Sequence, residues 1–180
     1  MTATDTAAQT FTIDPAHSSA EFVVRHMMIA KVRGRFAGVA GTISVPAGTR
    51  IPDAVTATLQ VASISTNEAT RDGHLVSADF FDAATYPEIT FKSTGITASG
   101  EGFTLVGDLT MHGVTKSVTL EGTYEGDSTD PYGNKRVGYE AHGKISRKDF
   151  GLVYNAPLET GGVAIGDEVK IELSVEGLAA

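Results

Sequence analysis

Apolar and polar residues alternate along most of this chain with the two-residue period of half-buried β-strands. Residues 54–64 show it best. Val55, Ala57, Leu59 and Val61 fall on one side, and Thr56, Thr58, Gln60 and Ala62 on the other. The same reading predicts strands at 11–13, 20–25, 31–36, 39–45, 88–98, 102–111, 114–125, 137–146 and 168–176. Glycine- or proline-bearing turns separate many of them. Asp130-Pro131-Tyr132-Gly133-Asn134 is a turn in which proline presets φ and glycine takes a positive φ. Residues 148–162 have no period and read as irregular. Residues 1–10 are polar and alanine-rich and read as a flexible arm, which leaves 11–180 as a single domain.

One stretch departs from the pattern. Residues 66–78 read as a short helix, with Ser65-x-x-Glu68 in capping-box spacing at its start. Gly73 weakens this helix and Pro87 bars its continuation. Phe80 and Phe81 stand at its exit, where they plug a barrel end or line a cavity. Eight to ten strands with meander spacing predict an all-β fold: one extended, up-and-down antiparallel β-barrel with one main short helix.

Composition narrows the function. A net charge of −8 argues against nucleic-acid binding. There is no cysteine, hence no disulfide and no thiolate chemistry. No apolar run is long enough to span a bilayer as a helix. The first residues have neither a basic n-region nor an apolar h-region, so the expected location is cytoplasmic, or periplasmic or extracellular if the sequence is a mature form. The five histidines lack metal-ligand spacing, and no nucleophile-elbow, dinucleotide or P-loop pattern occurs. We therefore expect no metal, no cofactor and no catalytic set. His74, Asp79 and Asp82 are either an acid–base group or a solvated helix end.

Two sets of residues carry more information. Phe22, Val24, Met28, Phe36, Phe80, Phe81, Phe91, Leu109, Met111 and Phe150, with Met27 and Ile29, fill a core or line a cavity. Adjacent methionines make an adaptable lining, and this strand number suits a barrel wide enough for one ligand. His26 is placed with the lining set. The second set is basic. Lys31, Arg33 and Arg35 alternate with Val32, Gly34 and Phe36, and Arg25 lies just upstream. They form a solvated strand face or hold an anionic head group. Arg71, His74 and Arg147 are further head-group candidates.

Several blocks together resemble the YceI-like family of polyisoprenoid-binding proteins with a lipocalin-like fold. They include Phe11-Thr12-Ile13-Asp14-Pro15-Ala16-His17-Ser18, Val32-Arg33-Gly34-Arg35-Phe36, Arg71-Asp72, His74-Leu75 and Asp79-Phe80-Phe81-Asp82. Further along are Tyr86-Pro87-Glu88-Ile89-Thr90-Phe91, residues 107–116, Arg147-Lys148-Asp149-Phe150-Gly151 and Gly166-Asp167-Glu168-Val169. The resemblance implies an extended barrel closed at one end by the helix and holding an isoprenoid or other long-chain lipid. The expected role is non-enzymatic binding, storage or transport of that lipid, in a monomer or homodimer. The alternative is a lipocalin-like isomerase or hydrolase that uses His74 or His26 as acid–base on a bound lipid.

Overall fold

The computed structural model describes residues 7–180. It contains β1 (Gln9–Ile13), β2 (Ser19–His26), β3 (Ala30–Phe36), β4 (Ala40–Val45), β5 (Ala54–Gln60), β6 (Ile64–Ser65), α1 (Ala69–Leu75), β7 (Glu88–Ser99), β8 (Gly102–Met111), β9 (Val114–Thr129), β10 (Lys135–Ser146) and β11 (Ile165–Ala179). Every strand pairing is antiparallel. β1 and β2 both pair with β11, β1 at its end (Phe11 opposite Ala179) and β2 along its first part (Val24 opposite Val169). They are two halves of one long strand bent at residues 14–18. β3 and β4 form a second such strand, since β3 pairs with β2 and β4 with β1. β5 and β6 form a third.

The segments thus make an eight-stranded ring in which each long strand neighbours the next in sequence and β11 closes onto β1. This is the up-and-down barrel the alternation predicts, and the pairing of β1 with β11 closes the edges that an open sheet would leave. The upper end carries the 27–29, 66–87, 112–113 and 147–164 connections. The lower end carries 46–53, 100–101 and 130–134. At the upper end, His112 and Gly113 turn β8 into β9 with φ of 52° and 71°, the both-positive geometry that two-residue hairpins favour.

Two core clusters fill the wall. The lower one centres on Phe11, Ile13, Ile43, Phe103, Leu105 and Tyr139. The upper one centres on Phe36, Val61, Ile89, Met111, Phe150 and Leu152.

A polar network ties the lower end. Asp130 accepts from the amides of Tyr132 and Asn134 (both 2.9 Å) and from Arg136 Nε (3.0 Å). Arg136 Nη1 also reaches Asp14 (2.8 Å) and Glu176 (2.7 Å). The His17 and Arg136 hydrogen bonds hold the Asp14 pKa at about 2, and the Asn134 amide leads the set that holds Asp130 at about 2. Both carboxylates are depressed. Their stabilisation is therefore fully present above the unfolded-state pKa of about 3.9 and is lost as pH falls through about 2. Urea midpoints taken between pH 6 and pH 2 should fall steeply below about 4, and less steeply in Arg136→Gln. Equal slopes in the two proteins would remove Arg136 from this account.

The structure revises three local expectations. The helix is shorter than 66–78, and its N-cap is Glu68, not Ser65. The Glu68 carboxylate accepts from the amides of Thr70 (3.1 Å) and Arg71 (2.7 Å), so the helix begins too late for Ser65 to cap it. The strand expected over 54–64 stops at Gln60 and passes through a 3-10 turn, Val61–Ser63, before β6. Residues 1–6 of the expected arm lie outside the described residues, whereas Gln9 and Thr10 already pair with Val45 and Ser44.

Candidate functional site

Alternation of side chains sends one face of each strand into the barrel. Along β5 the inward residues are Val55, Ala57 and Leu59, and along β11 they are Val169, Ile171, Leu173 and Val175. Together with Leu105, Val118, Leu120 and Ile145 they enclose an apolar cavity of about 520 Å³. That size lies within the roughly 300–1,000 Å³ range of small-molecule sites. The cavity exists because the inner wall uses small residues and glycines under aromatic rings. Phe22 stands opposite Gly34, whose added Cβ would lie 2.2 Å from the Phe22 ring. Phe103 lies over Gly122 in the same way.

Tyr139 forms the floor. Its hydroxyl donates to the Arg50 carbonyl (2.9 Å), and burial pushes its pKa up to about 12. Tyr139 also borders a separate lower hollow lined by Phe11, Val45, Arg50, Tyr124 and Val137.

The upper end is built by α1 and the 147–164 connection. Phe80 is buried and Phe81 packs edge-on against Phe36, with ring centroids 6.0 Å apart. His74, Phe80 and Tyr154 form a three-ring cluster with centroids 4.8–5.0 Å apart, which joins the helical segment to the 147–164 connection. His74 Nε2 lies 2.8 Å from Asp79. Since His26 and Tyr154 border the cavity and are solvent-exposed, the cavity reaches the surface here.

The charged residues at this end differ in kind. Arg147 is 4% exposed. Its guanidinium donates to the carbonyls of Gly166 (2.8 Å), Leu152 (2.6 Å), Tyr154 (2.9 Å) and Ile165 (3.3 Å). Burial lowers its pKa. Four of its five N–H donors are committed to backbone, so it anchors the loop. Arg71 is half-buried and spends two donors on Thr66, through Nε to Oγ1 (2.7 Å) and Nη2 to the carbonyl (3.0 Å). Among the described residues it forms no ion pair. It borders the cavity together with His74.

Of the lining and head-group candidates singled out from the sequence, Phe22, Val24, Arg25, His26, Phe36, Phe80, Phe81, Phe91, Leu109, Met111, Arg71, His74 and Arg147 border this cavity. Met27, Met28, Ile29, Lys31, Arg33, Arg35 and Phe150 do not. Met28 stands in the β2–β3 turn with φ of 64° and 55% exposure, beyond the last rung of the barrel. Phe150 is 1% exposed and packs in the upper core behind the lining. Arg33 and Arg35 point outward, because Val32 and Phe36, each an odd number of residues away in the same strand, point in. Arg33 pairs instead with Glu172 at 3.5 Å on the outer face. The lining positions on β9 and β11, with Leu105, Ile145 and Tyr139, are not among the residues singled out from the sequence. Their alternation was visible, but nothing in it distinguishes a cavity wall from a filled core.

Asp14, His17 and Glu176 bring possible metal-ligand atoms within 4.8 Å of one another. Arg136 Nη1 already bridges the two carboxylates, so this cluster reads as an ion-pair network.

The comparisons match this geometry. The YceI-like domain model covers residues 11–177. Protein YceI of Escherichia coli is 40% identical over 162 residues, spanning 90% of this chain and 82% of that protein. The crystal structure of the Campylobacter jejuni YCEI protein superposes with a TM-score of 0.73 at 28% identity, covering 86% of this chain and 88% of the other. A polyisoprenoid binding domain from Saccharophagus degradans shares the fold, with a TM-score of 0.68 at 18% identity over 96% and 99% of the two chains. With the family match running from β1 into β11 and the same barrel found in the solved structures, the chain belongs to the YceI-like family.

Proposed function

We propose that the barrel binds one long-chain isoprenoid or related amphiphilic lipid and serves its storage or transport without chemical change. The observation that carries this reading is the cavity of about 520 Å³, walled by aliphatic and aromatic side chains from all around the ring. Burial of each CH₂ is worth about 0.8 kcal/mol, so a chain of a few isoprene units supplies useful affinity without polar chemistry. The Saccharophagus degradans domain of the same fold is a polyisoprenoid binder by name, which supports the ligand class.

The head group remains at the upper end, since an unpaired buried charge is very costly. Arg71 is the group best suited to hold an anion there. It keeps three of its five donors after Thr66 is served, and a guanidinium fork matches phosphate or carboxylate oxygens. His74 flanks it three residues along α1. An acid–base role for His74 on the lipid is the competing reading, and its 2.8 Å contact with Asp79 is the observation in its favour.

Displacement of a fluorescent fatty probe by geranylgeranyl monophosphate and by geranylgeraniol tests the assignment. The parent binds both. Arg71→Ala should weaken the phosphate by about tenfold or more, the cost of a lost charge-assisted hydrogen bond, and leave the alcohol within about twofold. Equal weakening of both ligands would place the head group elsewhere. Conversion of either ligand on incubation would favour the enzyme.

A further inference from the structure

The basic residues of β3, Lys31, Arg33 and Arg35, and the methionine turn are left unused by the cavity. Seven large apolar side chains are exposed among the described residues, and six of them stand at the upper end: Met27, Met28, Ile29, Val153, Tyr154 and Val163. Ile29 is 84% exposed. The two loops that carry them touch. The Met27 amide donates to the Ala164 carbonyl (2.7 Å), and Met28 lies against Gly162. They therefore form one apolar platform beside the opening bordered by His26 and Tyr154.

Charge specifies what meets this platform. The whole chain carries −8, yet the β2–β3 hairpin holds Arg25, Lys31, Arg33 and Arg35 against the single acid Glu21, a local +3. Arg25 and Lys31 are direct cross-strand partners. Like charges so placed destabilise a sheet, and neither forms an ion pair among the described residues. At roughly 3.3 Å per residue, Lys31 lies about 7 Å behind Ile29 and Arg35 about 20 Å behind. An apolar tip with a basic collar at that depth suits a bilayer, where apolar side chains sink below the phosphates and long cationic side chains reach back to them.

We propose that the 27–29 turn and the 151–164 loop dock the barrel, mouth down, on an anionic lipid bilayer. The inference rests on the lipid-binding reading, because docking places the cavity opening against the membrane store of its ligand.

Flotation with large unilamellar vesicles tests it, using phosphatidylcholine alone or mixed with phosphatidylglycerol. The parent floats with the mixed vesicles, far less with the neutral ones, and is released by high salt. Lys31→Glu changes the collar by two charges, each worth about fivefold near an anionic surface, and should lower partitioning by about 30-fold. It also replaces the like-charged pair, so the fold is not put at risk. Ile29→Asp should abolish flotation. Both variants should bind the fluorescent fatty probe in vesicle-free buffer as the parent does. A parent that does not float with the mixed vesicles, or variants that float equally well, would overturn docking. Loss of probe binding by the parent would instead sink the cavity reading.

Discussion

Ala57→Trp should stop lipid uptake while the barrel stays folded. Ala57 faces the cavity from β5, between Gly41 of β4 and Phe91 of β7 in the hydrogen-bonded register. An indole there projects into free space, so the overpacking penalty of about 1–3 kcal/mol seen in filled cores is not incurred. The ligand suffers instead. Excluding about four methylenes from the cavity forfeits about 3 kcal/mol, a roughly 200-fold loss of affinity. Ala141→Trp, on β10 across the ring, should act alike, since Ala141 also borders the cavity. Probe titration and a thermal melt of each variant separate the cases. A drop in stability together with undiminished probe binding would mean that these positions face a solid core and that the probe binds elsewhere.

Arg147→Met should have the largest effect on the fold. The guanidinium satisfies four carbonyls contributed by residues 152–166. Methionine keeps most of the apolar stem but leaves those acceptors without their donor, each costing about 1–3 kcal/mol when it stays buried. Part of this is recovered as the loop opens to water, so we expect a net loss of roughly 3 kcal/mol. Because Tyr154 belongs to the ring cluster with His74 and Phe80, the upper closure loosens as well. Lysine should not rescue, since a single ammonium does not reproduce the planar fork. Chemical unfolding gives the stability. Amide exchange over 151–164 shows whether the loop is the part released. Full stability in Arg147→Met would show that the four bonds are dispensable.

The sequence made the barrel legible through its alternation. The strand expected over 102–111 is β8 to the residue, and the Asp130–Asn134 turn closes as its residues dictate. Hidden from that pattern was the joining of β1 to β2, β3 to β4 and β5 to β6. These joins depend on which partner each half pairs with, and pairing is non-local. The site was legible only in part, for two physical reasons. Apolar character reports burial, but not whether the space beyond a side chain is filled. Phe150 and Phe91 look equivalent in sequence, yet one is core and the other lining. The basic residues of β3 carry the opposite lesson. Their alternation with Val32 and Phe36 already placed Arg33 and Arg35 outside the barrel. Arg147 gave no sequence signal of its anchoring role, because its partners are backbone carbonyls of an irregular loop.

The most direct test of the central claim is native mass spectrometry of the purified protein, followed by solvent extraction and lipid analysis of the same sample. The account predicts a one-to-one adduct of a long-chain lipid, or a one-to-one adduct with added geranylgeranyl monophosphate after delipidation, and its absence in Ala57→Trp. A bare chain mass under both conditions, in a protein whose melt shows it folded, would contradict a lipid-filled barrel.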